Sequence, residues 1–204
     1  MANLNQPSGF APVRYSRGNA WNNAGKCYCI LAADANQFWI GDPVTTIGNA
    51  NADSRGIPAV TLGSAGVACR GIIVGLGTIP YGPYINPDNL NRLPTRPAGA
   101  QPQNWYAFVC DDPDVLYEVQ EAGAGSVLTA TSVNRNVNFN LGTRTSTLTL
   151  SPAYLDNATV NTTATLNLKI IEAVQRPDNQ PFAQYQKWIV AINNHEFAGG
   201  TTSP

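Results

Sequence analysis

Hydrolytic chemistry in this chain would have to use His195, because the 204 residues contain a single histidine. A Ser-His-Asp hydrolase also needs a serine nucleophile, which the G-x-S-x-G turn commonly presents. The segment Gly63-Ser64-Ala65-Gly66 lacks that spacing. His195 lies within the polar segment 193–196, which is typical of a hydrogen-bonded turn residue rather than of a general base. We therefore predict that no residue of this chain is catalytic.

Carboxylates could instead hold a metal ion. The densest group consists of Asp111, Asp112, Asp114 and Glu118. Alternating oxygen ligands suit Ca²⁺, but the EF-hand pattern D-x-[DN]-x-[DN]-G is absent. Since Asp-Pro commonly starts a turn, Asp112-Pro113 predicts a turn between two strands. We expect no metal site here.

A nucleotide cofactor is also not expected. Gly75 and Gly77 begin a G-x-G pattern, but the following Thr78-Ile79-Pro80 breaks the G-x-G-x-x-G spacing. Pro80 also makes the helix start of such a site awkward. The sequence therefore predicts no cofactor and no enzyme.

The cysteines stand at positions 27, 29, 69 and 110, and none belongs to a CxxC pair. A single histidine cannot complete a Cys/His zinc site at the usual spacing. In a reducing cytoplasm the expected state is four thiols packed as small hydrophobic groups. If the segment around Cys27 and Cys29 is a strand, the two side chains share one face.

Composition excludes several classes of partner. Charged residues make up 12% of the chain and the net charge is −1, whereas globular proteins carry roughly 25% charged residues. No Lys/Arg stripe is available for a phosphate backbone, so we expect no direct nucleic-acid partner.

No run approaches the ~18 apolar residues of a membrane span. The polar N-terminus lacks the features of a signal peptide. We expect synthesis in a cytoplasm without ordinary secretion, and a polar surface that includes the Asn-rich runs 19–23 and 134–140.

The elements that must position these residues are short strands separated by Gly, Pro, Asn or Asp. The predicted strands are 26–31, 37–40, 60–62, 71–75, 105–110, 116–120, 145–150, 166–174 and 188–192. Short strands with turn signals between them indicate a sandwich or a barrel. We predict an all-β protein, a β-sandwich or β-barrel, with a jelly roll among the options. The segment 114–121 could form a short helix after Pro113, but a strand is favoured.

Two segments lack strand periodicity. Residues 1–25 predict an extended N-terminal arm before a β-rich body at 26–204. Residues 77–104 form a loop with six prolines, and a loop this long is commonly functional or disordered. This loop could also divide the body into two β subdomains. Aromatic residues in both segments offer contact area at a low entropic cost. The candidate partner-contact residues are Phe10, Tyr15, Trp21, Tyr81 and Tyr84. The alternative is that these residues only cover the protein's own sheets.

A series of short motifs runs along the whole chain. Its first half carries Gly9-Phe10-x-Pro12-Val13-Arg14, Trp21, Cys27-Tyr28-Cys29-Ile30, Ile40-Gly41-Asp42-Pro43-Val44, Gly56-Ile57-Pro58-Ala59-Val60 and Arg70-Gly71-Ile72-Ile73-Val74-Gly75. Its second half carries Tyr106-Ala107-Phe108-Val109-x-Asp111-Asp112-Pro113-Asp114, Leu116-Tyr117-Glu118-Val119-Gln120-Glu121, Arg176-Pro177-Asp178-Asn179, Lys187-Trp188-Ile189-Val190 and Ile192-Asn193-Asn194-His195. In this order the chain resembles the head decoration, or capsid cement, proteins of tailed bacteriophages.

The resemblance implies a β-rich structural protein of the virion that binds and stabilises the shell of the major capsid protein. It also implies a homodimer or homotrimer on the capsid surface, made in the cytoplasm of a bacterial host. It carries over no catalytic residue. A second interpretation is a carbohydrate- or receptor-binding β-sandwich module of a phage tail or fibre, in which exposed aromatic and Asn side chains would contact sugars.

Overall fold

A computed structural model describes residues 2–48, 52–82, 86, 88, 93–123, 125–145 and 147–203. These residues form thirteen strands and one short 3₁₀ helix, Ala130–Ser132. The strands are β1 (Ala11–Tyr15), β2 (Lys26–Ile30), β3 (Phe38–Trp39), β4 (Pro43–Thr46), β5 (Val60–Leu62), β6 (Gly71–Gly77), β7 (Thr95–Arg96), β8 (Trp105–Cys110), β9 (Val115–Gln120), β10 (Asn136–Asn140), β11 (Tyr154–Asn161), β12 (Leu168–Ala173) and β13 (Lys187–Ile192).

The strands build two large antiparallel sheets. The first has the order β1-β9-β13-β12-β10-β11 and the second the order β2-β8-β6-β4-β5. Strands β3 and β7 form a separate two-stranded sheet. The described part of the chain is therefore a β-sandwich, which confirms the all-β prediction. The barrel alternative is wrong, because neither sheet closes on itself.

The main core lies between the two large sheets. Side chains alternate across a strand, so Ile72 and Val74 of β6 face the six-stranded sheet while Ile73 faces away. Ile72 and Val74 belong to one buried cluster with the inward residues of β9, β10, β12 and β13, among them Tyr117 and Trp188. This contact of two apolar faces is what holds the sheets together.

The outer face of the five-stranded sheet is covered as well. Ile73 packs there with Tyr28 and Ile30 of β2 and with Phe38 of β3. Burial on both faces explains why β6 is buried at all seven positions, since no residue of this strand can face water. The short β3–β7 sheet thus covers this second buried cluster on the outer face of the five-stranded sheet.

The edge strands are irregular or covered. Strand β1 contains Pro12, and its register against β9 shifts between Pro12 and Arg14. The amide of Cys29 in β2 donates to the carbonyl of Pro58 (2.9 Å), so the segment before β5 covers that edge. Strand β5 has three residues, and the β10–β11 pairing shifts register between Asn136 and Asn138.

Most predicted strands are present within one or two residues of their expected ends, and 114–121 contains a strand rather than a helix. The strand predicted at 145–150 is wrong, because the described residues of that segment are irregular. Strands β1, β4, β7, β10 and β11 were not predicted. The segment 134–140 is not simply polar surface, since Asn136 is fully buried and donates to the carbonyls of Thr163 (3.1 Å) and Thr201 (2.7 Å).

The N-terminal segment, for which the sequence predicts an extended arm, contacts the sandwich along its described part. Residues 11–15 form edge strand β1 of the six-stranded sheet. Ahead of it, the side-chain amide of Asn3 donates to the carbonyls of Gln180 and Gln184, both at 3.0 Å. The backbone amide of Gln6 donates to Gln120 Oε1 at 3.0 Å. The described part of the first 25 residues therefore lies along the sandwich. Within the described ranges, no helix is long and apolar enough to span a bilayer.

Candidate contact surface

One corner of the sandwich brings the N-terminal segment together with the proline-rich loop. We define this corner surface by Val13, Tyr15, Trp21, Asn22, Asn23, Ile79 and Tyr81. After β1 the chain turns back on itself: the Tyr15 amide donates to the carbonyl of Asn19 (2.7 Å) and the Trp21 amide to that of Val13 (3.1 Å). This return places Asn22 and Asn23 next to the loop that follows β6.

Side-chain hydrogen bonds hold the N-terminal half of the corner surface. The Tyr15 hydroxyl donates to Asn22 Oδ1 at 2.9 Å, and the Trp21 indole N–H donates to the carbonyl of Ala24 at 3.2 Å. Asn23 has a φ of 61°, in the left-handed region that Asn tolerates better than most residues. Its amide donates to the carboxylate of Asp88. That bond ties the N-terminal segment to the loop.

Tyr81 is the most exposed aromatic residue at this corner. Its side chain is 73% exposed, and its φ of 56° is unusual for a bulky residue. The Gly82 amide donates to the carbonyl of Ile79 at 3.1 Å, which closes the turn that presents the ring. Tyr81, Asn22, Asn23 and Phe108 line a shallow cavity of about 320 Å³. Strained backbone clusters at binding sites, and exposed aromatic rings commonly anchor a partner molecule.

The five candidate contact residues have different positions. Phe10 is buried in the main core and packs edge-to-face on Phe139 (centroids 6.1 Å apart), so it covers the protein's own sheet, as the alternative held. Tyr15 and Trp21 are half-buried and pack against the same core. Tyr81 is exposed, and Tyr84 lies outside the described residues. The structure thus brings Tyr15, Trp21 and Tyr81 to one corner.

A second polar cluster, which the sequence did not predict, lies where β4 and β6 meet the C-terminal segment. Arg70 pairs with Glu196 (2.8 Å), and its guanidinium lies 3.9 Å from the ring centre of Phe197. Glu196 also accepts hydrogen bonds from the backbone of Thr46 (2.7 Å) and the hydroxyl of Thr45 (2.8 Å). These donors and Arg70 outweigh the effect of partial burial and lower the pKa of Glu196. With every oxygen engaged, this carboxylate is a structural link rather than a base.

His195 lies beside this cluster and is buried. Its Nδ1 accepts from the amide of Phe197 at 3.0 Å, so the neutral ring carries its proton on Nε2. That nitrogen has no hydrogen-bond partner among the described residues. Burial, followed by the charge of Arg70, lowers the pKa of His195. A neutral, buried imidazole that accepts a hydrogen bond from a backbone amide agrees with the prediction of a hydrogen-bonded turn residue.

The acidic segment after β8 serves the fold. Asp111 accepts from the Tyr28 hydroxyl at 2.7 Å, and Lys26 lies 3.5 Å from the same carboxylate. Asp112 Oδ1 accepts from the amide of Asp114 at 2.9 Å, which closes the turn between β8 and β9. The predicted turn is therefore confirmed. Among the described residues, no group of three or more His, Cys, Asp and Glu side chains is arranged to hold a metal ion.

The four cysteines are buried as free thiols, as predicted. Cys27 and Cys29 share one face of β2, in a small cluster with Ile57 and Tyr106. Burial raises the pKa of Cys29 to about 11 and that of Cys69 to about 12. A protonated, buried thiol is a poor nucleophile, so these residues act as packing groups.

Comparison with known proteins gives no further assignment. No protein-family model, no curated protein and no solved structure matches this chain.

Proposed function

We propose that this protein is a non-catalytic structural component of a bacteriophage head, which binds the surface of the major capsid protein shell through its corner surface and braces it. The observation that carries the proposal is Tyr81, an exposed ring presented by a closed turn at the place where two otherwise distant segments meet. Aromatic residues of this kind supply a large share of the binding energy at protein interfaces.

The composition of the corner surface supports a protein partner. Val13, Ile79 and Tyr81 are exposed apolar or aromatic side chains, and Asn22 and Asn23 line the same cavity as Tyr81. Apolar anchors within a polar rim are the usual anatomy of a protein interface. With a chain net charge of −1, binding of this surface should depend little on salt.

The rigidity of the body supports a bracing role. Two large sheets share a continuous core, and the turn bearing Tyr81 follows directly after fully buried β6. A specific interface needs roughly 1,000 Å² of buried surface, more than the corner surface of one copy would readily supply. We therefore propose that a homodimer or homotrimer engages several capsid subunits at once and gains from effective concentration.

The test is binding to purified phage heads, measured by co-sedimentation and by copies per particle. Deleting residues 1–20 would be uninformative, because it removes β1 and the core residue Phe10. Tyr81→Asn is sharper, since Asn tolerates the left-handed backbone while the ring is lost. We expect roughly tenfold weaker binding to heads, which corresponds to the loss of one aromatic anchor.

Phe182→Asn is the matched control. Phe182 is also an exposed aromatic residue with a positive φ, at 60°, but it lies beside Trp188 rather than on the corner surface. This variant should bind heads as the wild type does. The proposal fails if heads bind no wild-type protein, if only a few copies per particle are found, or if both variants bind equally.

A further inference from the structure

A larger cleft lies at the other end of strand β9, away from the corner surface. It has a volume of about 570 Å³, within the range of small-molecule sites. The N-terminal segment contributes Asn5, the irregular segment before β11 contributes Thr143, and the end of β9 contributes Glu121. Tyr154 and Tyr185 complete its aromatic lining.

Glu121 is the distinctive group in this cleft. The residue is 1% exposed, and its Oε2 accepts from the Trp188 indole N–H (2.9 Å) and from Gln186 Nε2 (3.1 Å). Its Oε1 is buried and has no hydrogen-bond partner among the described residues. An unsatisfied buried oxygen of this kind is costly in free energy, so it calls for a partner that the folded chain does not supply.

The protonation state of Glu121 restricts the chemistry of that partner. Burial raises its pKa to about 7, although hydrogen bonds from Trp188, Gln186 and the backbone of Leu128 oppose the shift, so near neutral pH both forms are populated. The ionised carboxylate needs a donor at Oε1, whereas the protonated acid needs an acceptor. A hydroxyl group can both donate and accept, so it satisfies either form of Glu121 without a net charge.

The remaining walls favour a neutral ligand with hydroxyl groups and apolar faces. No Lys or Arg occurs among the described residues that line the cleft, so nothing there compensates an anion. The side chains of Asn5, Thr143, Tyr154 and Tyr185 make no hydrogen bond to other described residues, which leaves these groups available to a ligand. The rings of Tyr154 and Tyr185 offer apolar surface with a polar tip.

The position of Tyr185 is built into the backbone. Its φ is 62°, and its ring lies so close to Gly123 that a Cβ there would be 1.9 Å from the Tyr185 Cε1 atom. The side-chain amide of the preceding Gln184 donates to the carbonyl of Gly123. Strained aromatic residues that the surrounding structure fixes in place are typical of binding sites.

The cleft combines the carboxyl group of Glu121 with aromatic walls, and its described lining contains no Lys or Arg. We therefore propose that it binds a neutral, polyhydroxylated ligand, namely a hexose unit of a glycan. The inference is independent of capsid binding, because the cleft and the corner surface share no residue. It would give a virion protein a means of attaching to a glycosylated surface.

The test is a two-dimensional NMR titration of the ¹⁵N-labelled full chain with galactose, glucose and N-acetylglucosamine, and with N-acetylneuraminic acid as an anionic sugar. At least one neutral sugar should shift amide signals around Asn5, Gly123, Thr143, Tyr154 and Tyr185. The proposal is overturned if no neutral sugar binds, if the anionic sugar binds at least as tightly, or if the shifts lie on the corner surface. This experiment needs no variant, so it does not depend on any mutant folding.

Two variants then test the lining. Tyr154→Ala should weaken binding roughly five- to tenfold, because an aromatic contact is lost. Thr143→Val removes one hydroxyl at constant shape and should weaken binding, whereas Thr147→Val, in the same segment but outside the cleft, should leave it unchanged. Equal affinities for the wild type and both cleft variants would also overturn the proposal.

Discussion

Asp42 and Ser151 are 109 positions apart, yet the Ser151 hydroxyl donates a 2.6 Å hydrogen bond to Asp42 Oδ1. Asp42 Oδ2 accepts from the amide of Trp39 (2.8 Å) and from the guanidinium of Arg144, which stacks on the Trp39 ring at 4.5 Å. One buried carboxylate thus fixes the turn between β3 and β4 to the irregular segment before β11.

Asp42→Asn should lower the free energy of unfolding by about 3 kcal/mol, because it leaves the largely buried Arg144 cation without its counter-charge. Urea unfolding of the wild type and the variant measures the difference. The control is Asp178→Asn, which breaks an exposed ion pair with Arg176 and should have a much smaller effect. Similar losses in the two variants would contradict a structural role for Asp42.

Glu121 should make stability depend on pH. Its pKa rises from 4.5 to about 7 in the folded protein, so the folded state holds the proton more tightly than the unfolded chain. The resulting stabilisation is complete below about pH 4.5 and is lost as the pH rises through about 7. Its full size is about 3 kcal/mol by the relation between pKa and free energy.

The measurement is the unfolding free energy of the wild type and Glu121→Gln from pH 4 to 8. Relative to the wild type, the variant should gain stability as the pH rises across this window, because glutamine carries no charge to bury. A difference between the two proteins that stays constant with pH would show that Glu121 is not the titrating group.

Gly71→Ala should destabilise the protein by at least about 2 kcal/mol. A Cβ at this position would lie 2.2 Å from the carbonyl oxygen of Cys110 on β8, and a backbone atom within a sheet cannot move aside. Gly66→Asn is the comparison, because no atom lies within 4 Å of its Cβ position and Asn tolerates its φ of 74°. Thermal unfolding should show a clearly larger loss for Gly71→Ala.

The thiols should be unreactive in the folded protein. All four are buried, and burial raises the pKa of Cys110 to about 11 and that of Cys69 to about 12. Ellman's reagent at pH 8 should therefore modify almost none of them until denaturant is added, after which all four should react. Rapid labelling of even one cysteine in the native protein would show that its cluster opens readily.

Local sequence patterns were enough to predict the fold class. Ile72, Ile73 and Val74 form an uninterrupted apolar run, and Leu168 and Ile170 alternate with polar neighbours. Both arrangements of apolar residues indicate strands. The alternation of Asn with Val137 and Phe139 in β10 was also available, but the Asn-rich composition concealed it. Strand β1 was missed because a proline and a register shift interrupt its pattern.

The candidate sites were less accessible to sequence reasoning. The corner surface was expected only as separate aromatic residues, since nothing in the chain shows that Asn23 reaches Asp88. The cleft was missed for the same reason: Glu121 and Tyr185 meet through the pairing of β9 with β13, and the segment of Thr143 reaches them only because Glu121 forms a bridge with Leu155 of β11. Long-range pairing of this kind leaves no local signal. The hydrogen-bonded turn at His195 was predictable because the Phe197 amide that donates to its ring is local, whereas its bridge to Cys69 left no signal.

The guarded edges of both sheets have a consequence for crowding. Exposed strand edges allow neighbouring molecules to fuse their sheets and polymerise. Here Pro12 interrupts one edge, the segment ending at Pro58 covers another, and β5 is too short to extend a third. On the fourth edge, β11, the carbonyl of Leu155 already accepts a hydrogen bond from the amide of Ala122. Many copies can therefore stand side by side at high local concentration and still remain separate molecules, which meet through side chains and turns.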